Sequence, residues 1–149
     1  MELTFYVATR TDLDSLLPLV QAYYEFDHLS FDECVARTAL KNFIDDPTFG
    51  RIWLISVDSE LVGYLILTLG YSIEYGGRDA FIDEVYIRAE YRGRGIGSQT
   101  ISFAEEECRT LGVRALHLEV ERENTNAQRL YRKVGFIDHD RYLMTKRIS

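Results

Sequence analysis

A glycine-rich segment at residues 92–97, RGRGIG, constrains the fold more than any other part of this sequence. The preceding residues 80–87 are mostly apolar and predict a β-strand. The residues that follow place apolar side chains at helical spacing, at Ile101, Ala104, Cys108 and Leu111. The sequence therefore predicts a glycine-rich loop that leaves a strand and begins an amphipathic helix.

This strand–loop–helix pattern is typical of an anion-binding site. The first backbone N–H groups of a helix have no partners within the helix, and the helix dipole is positive at that end. Glycines let the backbone approach a phosphate closely and adopt positive φ angles. Arg92 and Arg94 add positive charge, and a guanidinium group pairs well with phosphate. We therefore expect a phosphate-bearing ligand at this loop.

The charge of the chain narrows the classes of partner. The formal net charge is −7, which argues against nucleic acid as the main partner, because binding its phosphates requires a basic surface. Against this acidic background, Arg88, Arg92 and Arg94 lie close together in the sequence and are opposed there only by Glu90. The local positive charge favours a phosphate ligand. The acidic remainder favours a cationic amine as a second ligand, through long-range attraction.

Composition predicts one globular domain, since 149 residues with 46% hydrophobic content can bury a substantial core. No apolar run approaches the roughly 18 residues of a membrane span. The N-terminus lacks the features of a secretory signal, so we expect a cytoplasmic protein with no membrane partner.

Cys34 and Cys108 fall in predicted helices, where buried thiols are expected rather than a disulfide. His28, His117 and His139 lack metal-ligand spacing, so no metal is expected.

Apolar periodicity and breaker residues predict an α/β fold, a mixed sheet with helices on its faces, in the order β-α-α-β-β-β-α-β-α-β-β. Ser15 is expected to cap the first helix, because Pro18 would then lie in its first turn. Ser30 begins a capping-box pattern that opens the second helix, which Pro47 follows. The remaining predictions include a loop at residues 71–77 and strands at residues 115–120, 136–137 and 142–148.

The spacing of the glycines excludes two common phosphate-binding motifs. A P-loop requires a lysine that is missing here, and a dinucleotide fingerprint requires G-x-G-x-x-G, whereas Gly93, Gly95 and Gly97 are spaced two apart. The pattern R-x-x-G-x-G, which begins at Arg92, resembles the pyrophosphate loop of the GCN5-related N-acetyltransferases (GNAT), which bind acetyl-CoA. The alternative is a turn whose glycines merely cap the strand and the helix.

A second segment strengthens this resemblance. Residues 124–136, NTNAQRLYRKVGF, are similar to the family segment N-x-x-A-x-x-L-Y-x-x-x-G-F that follows the fifth strand. Together with the predicted order of elements, the two motifs extend the resemblance along nearly the whole chain. It implies a single N-acetyltransferase domain over residues 1–149. It also implies the acyl-CoA N-acyltransferase fold, in which helices cover both faces of a mixed, splayed central sheet.

The resemblance also implies a role for each matching position. The backbone of residues 85–87 would pair with the pantetheine arm, and the amides of residues 93–98 would hold the pyrophosphate. Asn124 would contact the cofactor arm, and Tyr131 would lie near the thioester sulfur. The implied cofactor-binding residues are Val85, Tyr86, Ile87, Arg92, Gly93, Arg94, Gly95, Ile96, Gly97, Ser98, Asn124 and Tyr131.

Acetyl transfer to an amine also needs a proton acceptor, because an alkyl ammonium is mostly protonated at pH 7. Glu84 and Glu119 are the two candidate catalytic bases. Glu84 directly precedes the cofactor-pairing segment, and Glu119 resembles the proposed base of the bacterial ribosomal-protein alanine acetyltransferases. Asp83 would face away from Glu84 in a regular strand, although a bulge would change that parity. A water chain without a dedicated base is a further alternative.

Two more groups complete the expected chemistry. The backbone N–H at about Val85 or Tyr86 is the candidate for stabilising the tetrahedral oxyanion. Tyr131 is the candidate catalytic acid for the leaving thiolate. On its position alone it would be interpreted as a core aromatic, just as His117 on a strand is interpreted as structural.

The sequence thus predicts an acetyl-CoA-dependent N-acetyltransferase that acts on a primary amine of a small molecule or a peptide. The aromatic and acidic residues 23–27 would suit a cationic amine, or would simply pack in the core. The resemblance leaves the acceptor unidentified, and a homodimer remains open because family members are often dimers. The alternatives are a non-catalytic acyl-CoA binding or sensing module on the same fold, and a different nucleotide-binding α/β protein.

Overall fold

The computed structural model describes all 149 residues and contains one five-stranded mixed sheet. Its strands lie in the order β1-β2-β3-β4-β5, the first four antiparallel to their neighbours and the last parallel to β4. The strands are β1 (Leu3–Val7), β2 (Gly50–Val57), β3 (Glu60–Ser72), β4 (Gly77–Ile87) and β5 (Ala115–His117). The helices are α1 (Leu13–Phe26), α2 (Glu33–Asp45), α3 (Ile96–Thr110) and α4 (Thr125–Lys133).

The chain divides into two compact units, Met1–Glu119 and Val120–Ser149. The first unit holds the whole sheet together with α1, α2 and α3, and the second holds α4. That residues 1–149 form a single acetyltransferase domain stays a prediction. No helix in either unit has the length and apolar character that a membrane span requires.

Helices pack on both faces of the sheet, which confirms the predicted mixed α/β class. On one face the apolar sides of α1 and α2 meet β2 and β3. The buried side chains that these elements share include Leu16, Leu17, Val20, Leu40, Ile52, Leu54, Tyr64 and Ile66. On the other face Phe103 of α3 stacks on Phe5 of β1, with ring centroids 4.2 Å apart, and meets Trp53 of β2 edge-on at 5.2 Å.

The first helix begins earlier than its proline predicts. A single 3-10 turn at Arg10–Asp12 leads directly into Leu13, and the Asp12 carboxylate accepts a hydrogen bond of 2.8 Å from the Thr9 N–H. The expected cap at Ser15 is therefore wrong, and Pro18 lies inside the helix. A proline there removes one backbone hydrogen bond, and burial of the neighbouring leucines offsets that loss.

The second helix begins later than expected. Asp32, rather than Ser30, is its N-cap, and the Asp32 carboxylate accepts from the Val35 N–H at 3.1 Å. Cys34 lies in the first turn of α2 and is exposed, so the expectation that both thiols are buried is wrong for this residue. Cys108 on α3 is buried as predicted, and burial raises the pKa of its thiol to about 11.

The strand boundaries differ most at the C-terminal end. Both ends of the predicted loop at residues 71–77 join the flanking strands, so only residues 73–76 turn the chain. The strand predicted at 115–120 stops at His117. The closing strands predicted at 136–137 and 142–148 do not form, and Ile137 and Tyr142 are exposed. Alternating apolar residues make a strand only where a neighbour supplies hydrogen-bond partners, and no ladder pairs these residues.

The leucines of α1 supply the first testable prediction. Leu16 is fully buried against the sheet, whereas Leu29 is 50% exposed in the turn after α1. We expect Leu16→Ala to lower the free energy of unfolding by about 2–5 kcal/mol, because it removes apolar contacts and leaves a cavity. Chemical denaturation measures this change, with Leu29→Ala as the control that should cost much less. Equal losses in the two variants would contradict the packing described here.

Candidate active site

A β-bulge in β4 determines which side chains meet at the site. Ile66 of β3 pairs with Glu84 of β4, but the next residue of β3, Leu67, pairs with Ile82. Asp83 is therefore the extra residue that has no partner across the ladder. Because Ile66 belongs to the core beneath α1, its partner Glu84 lies on the face of the sheet that α1 covers.

Two tyrosines bind the carboxylate of Glu84, one at each oxygen. The Tyr24 hydroxyl of α1 donates to Oε2 at 2.7 Å, and the Tyr64 hydroxyl of β3 donates to Oε1 at 2.8 Å. Burial raises the pKa of Glu84, the two hydrogen bonds lower it, and the nearby charge of Asp83 raises it further. The net effect is a raised pKa, so Glu84 is a stronger base than a glutamate in water.

Asp83 lies close enough to share this environment. Its charge raises the pKa of Tyr23 and Tyr24 as well as that of Glu84, although burial is the largest cause in each case. Partial burial also raises the pKa of Asp83 itself. The strand is not regular here, so the parity expected of a regular strand does not apply to Asp83 and Glu84, and the alternative of a bulge holds.

Aromatic rings surround the Glu84 carboxylate and limit its contact with water. The Tyr23 ring centroid lies 6.5 Å from that of Tyr64 and 6.2 Å from that of Tyr86. Tyr24 meets Phe31 edge-on at 5.9 Å. A positive charge that enters such a site gains both from the faces of the rings and from the carboxylates.

The glycine-rich loop leaves the beginning of α3 open to a ligand. Gly95 is the N-cap residue with φ of 80°, and neither a capping side chain nor an acidic residue occupies the first turn. A Cβ atom added at Gly93 or Gly95 would meet nothing within 4 Å. The backbone N–H groups of Ile96, Gly97 and Ser98 begin the helix, where they lack partners within it. This geometry suits an anion.

The arginines of the loop lie against aromatic rings. Arg92 donates from Nε to the Ile87 carbonyl at 2.9 Å, and its guanidinium carbon lies 4.6 Å from the Phe26 ring centroid and 5.5 Å from that of Tyr86. The Arg94 guanidinium lies 5.0 Å from the Tyr91 ring. Arg92 thus connects the loop, β4 and the end of α1.

The edge of β4 becomes free where the site lies. β5 pairs with β4 only at Asp79, Ala80 and Phe81. Beyond Phe81, the strand pairs with β3 alone, and no strand lies beside residues 85–87 on the other side. The main chain of these residues is therefore a place where an extended ligand can add hydrogen bonds in the manner of a strand.

Glu119 of the first unit lies outside this cluster. Glu119 is exposed after the end of β5 and makes none of the tyrosine contacts that hold Glu84. In the second unit, Asn124 caps α4, since its side-chain oxygen accepts from the Ala127 N–H at 3.1 Å. Tyr131 of α4 is half-buried and meets Phe136 edge-on at 5.9 Å, and burial raises its pKa.

Comparison with known proteins now identifies the family. The model of the acetyltransferase (GNAT) family matches residues 14–136. The chain belongs to this family. It is 29% identical to thialysine N-epsilon-acetyltransferase of Bos taurus over 88% of this chain and 82% of the relative. It is 28% identical to aminoalkylphosphonate N-acetyltransferase of Salmonella typhimurium over 87% of this chain and 81% of that protein. Integron cassette protein HFX_CASS3 from the Cole Harbour salt marsh metagenome has a similar structure, with a TM-score of 0.86 and 33% identity over 97% of this chain and 90% of the other.

Membership in the GNAT family confirms the predicted reaction class. The chain is an acetyl-CoA-dependent N-acetyltransferase, and acetyl-CoA is its co-substrate. No cluster of three or more His, Cys, Asp or Glu side chains is arranged to hold a metal.

The sequence did not reveal Tyr24 and Tyr64 as hydrogen-bond partners of Glu84. Tyr24 was visible as part of an aromatic and acidic segment, but Tyr64 lies in an apolar strand that gave no signal.

Two glycines with the same φ angle test the position of the phosphates. Gly95 and Gly76 both have φ of 80°, and a Cβ added at either would meet nothing within 4 Å. We expect Gly95→Val and Gly76→Val to lose similar stability, because each strains a left-handed residue. Only Gly95→Val should also weaken CoA binding, by about tenfold or more, since its side chain would occupy the anion's place.

Isothermal titration with CoA and denaturation of both variants measure these two effects separately. If Gly95→Val kept the wild-type affinity for CoA, the pyrophosphate would not bind at this loop.

Proposed function

We propose that the GNAT enzyme transfers the acetyl group of acetyl-CoA to a primary amine by direct attack, with Glu84 as the general base. The observation that carries the proposal is the Glu84 carboxylate, which two tyrosine hydroxyls hold beside the free edge of β4. Its raised pKa brings it closer to neutral pH, where a general base works best.

The cofactor would be bound mainly by main-chain groups. The amides of residues 93–98 would hold the pyrophosphate at the beginning of α3, and Arg94 would add charge near it. The pantetheine arm would pair with residues 85–87 along the edge that β5 leaves free. This arrangement would bring the thioester carbonyl to the backbone N–H of Val85 or Tyr86, which would stabilise the oxyanion.

The transfer then requires two proton movements. Glu84 takes a proton from the ammonium group, directly or through water, so that the neutral nitrogen can attack the carbonyl carbon. As the tetrahedral intermediate collapses, the carbon–sulfur bond breaks and the thiolate takes a proton from Tyr131. The nitrogen gives up a second proton to solvent, Glu84 releases the proton it took to solvent, and solvent restores the proton of Tyr131. The products are the N-acetylated amine and CoA, with one proton released overall.

We further propose that the acceptor is a small cationic amine. The wall beside Glu84 combines the rings of Tyr23, Tyr24 and Tyr86 with the carboxylate of Asp83. The charge of Asp27 raises the pKa of Tyr23, after the larger effect of burial, so a further carboxylate lies at the end of α1. The bovine relative is named for thialysine, an amine, which supports this class.

Removing the carboxylate tests the base directly. We expect Glu84→Gln to lower kcat/KM for the amine by about 100-fold or more, since general bases contribute factors of this size. CoA binding should survive, because the cofactor contacts are main-chain groups elsewhere. The assay is thiol release from acetyl-CoA across a panel of amines. Asp83→Asn and Glu119→Gln are the matched comparisons, and a larger loss in either would move the role of base to that residue. Wild-type protein without thiol release for any amine would overturn the proposed reaction.

The pH dependence gives a second test. Glu84 must be ionised to accept a proton, so kcat/KM should fall as the pH drops through its pKa. Because burial raises that pKa, the acid limb should lie above the value of about 4.3 for an ordinary glutamate. The limb should disappear in Glu84→Gln. An acid limb that persists unchanged in this variant would belong to another group and would contradict the assignment.

A separate variant tests the acid. We expect Tyr131→Phe to lower thiol release strongly while CoA affinity stays within about twofold of wild type, since the ring remains and only the hydroxyl is lost. Isothermal titration calorimetry measures the CoA affinity, and the same thiol assay measures the rate of thiol release. Phe136→Leu, which alters the ring beside Tyr131 without removing a proton donor, is the control. Full turnover in Tyr131→Phe would remove this residue from the mechanism.

A further inference from the structure

Both oxygens of the Glu84 carboxylate are occupied by phenols, and the two phenols differ in their freedom to move. Tyr64 lies in the middle of a central strand with 0% of its surface exposed. Tyr24 lies in the last turns of α1, is half-buried, and contacts Phe31 in the segment that follows the helix. One donor is therefore fixed in the core, whereas the other lies at the partly exposed end of α1.

We propose that Tyr24 and Tyr64 are positioning residues that keep Glu84 ionised and aimed, Tyr64 permanently and Tyr24 until the acceptor amine takes its place at Oε2. The inference rests on the proposed role of Glu84 as the base. It adds the atom that receives the proton: Tyr64 continues to donate to Oε1, so the ammonium group would deliver its proton to Oε2.

The energetics favour this division of roles. A buried carboxylate is costly unless hydrogen bonds compensate it, and two phenol donors supply that compensation in the resting enzyme. Burial and the Glu84 contact raise the pKa of both Tyr24 and Tyr64, so these hydroxyls stay protonated and act only as donors. When an ammonium replaces the Tyr24 hydroxyl, a neutral donor gives way to a cation, which stabilises the carboxylate until the proton moves.

The titratable and charged groups on the elements packed around Glu84 define what else could change its ionisation. Tyr23, Tyr24 and Asp27 come from α1 and its end, and Tyr64 comes from β3. The remaining neighbours are Asp83 and Tyr86 of β4, with the Arg92 guanidinium 5.5 Å from the Tyr86 ring. Tyr23 lies against the rings of Tyr24, Tyr64 and Tyr86, but its hydroxyl donates no hydrogen bond to Glu84. It is therefore a matched control for the loss of one hydroxyl from this cluster.

The test compares Tyr24→Phe, Tyr64→Phe and Tyr23→Phe. Each hydroxyl on Glu84 stabilises the ionised form, so removing either should raise the pKa of Glu84. We expect the acid limb of kcat/KM to move up by about one pH unit in Tyr24→Phe and Tyr64→Phe, as befits one hydrogen bond to a charged group. The limb should stay in place in Tyr23→Phe. In Tyr24→Phe alone, KM for the amine should also fall, because the acceptor no longer competes with a phenol.

A second readout keeps this inference separate from the proposed function. Carboxyl carbon-13 NMR of the labelled wild type and variants reports the titration of Glu84 whether or not the enzyme turns over, and Glu84→Gln assigns the signal. An unmoved Glu84 titration in Tyr24→Phe overturns the inference, even if Glu84 proves to be the base. A moved titration in a protein whose Glu84→Gln variant keeps full activity would instead overturn the role of Glu84. If Tyr64→Phe folds poorly, Tyr24→Phe against Tyr23→Phe decides the matter alone.

Discussion

The bulge at Asp83 is the constraint on which the candidate site depends. In a regular strand, Ile82 and Glu84 would lie on the same face of the sheet. Ile82 is buried beside Leu67, so a regular strand would draw an ionisable group onto the same apolar face. The extra residue lets β4 bury Ile82 on one side and present Glu84 to α1 on the other. The bulge thus places the buried Ile82 and the ionisable Glu84 on opposite faces of the sheet.

Once Glu84 faces α1, the surrounding residues must satisfy its charge. The rings that exclude water also supply the hydroxyls, which donate from a helix and from a strand that lie far apart in sequence. The two hydrogen bonds stabilise the ionised Glu84 carboxylate, but they do not cancel the effect of burial on its pKa. Burial and Asp83 raise its pKa while the two phenols oppose them, and the net upward shift suits a group that must accept a proton and give it back.

The sequence predicted the parts of this site that depend on local backbone requirements. The loop, the beginning of α3 and the end of the preceding strand follow from glycines and from apolar periodicity, and the structure has them where they were expected. The bulge could not be predicted, because it depends on which residues of β3 lie opposite β4. Tyr64 gave no signal for the same reason: its partner is distant in sequence. The closing strands failed because a strand needs a neighbour, which periodicity alone does not supply.

The two halves of the site carry opposite charges, and Arg92 lies where they meet. The loop gathers arginines beside open helix amides, which suits the diphosphate of acetyl-CoA, whereas the end of α1 and the bulge gather carboxylates and phenols, which suit an ammonium group. The Arg92 guanidinium binds the Ile87 carbonyl of β4 and lies on the ring of Phe26, two residues beyond Tyr24 in α1. A shift of this side chain toward a bound phosphate would alter its contact with α1. The cofactor loop and the wall that meets the acceptor are therefore joined by one side chain, as well as by the strand between them.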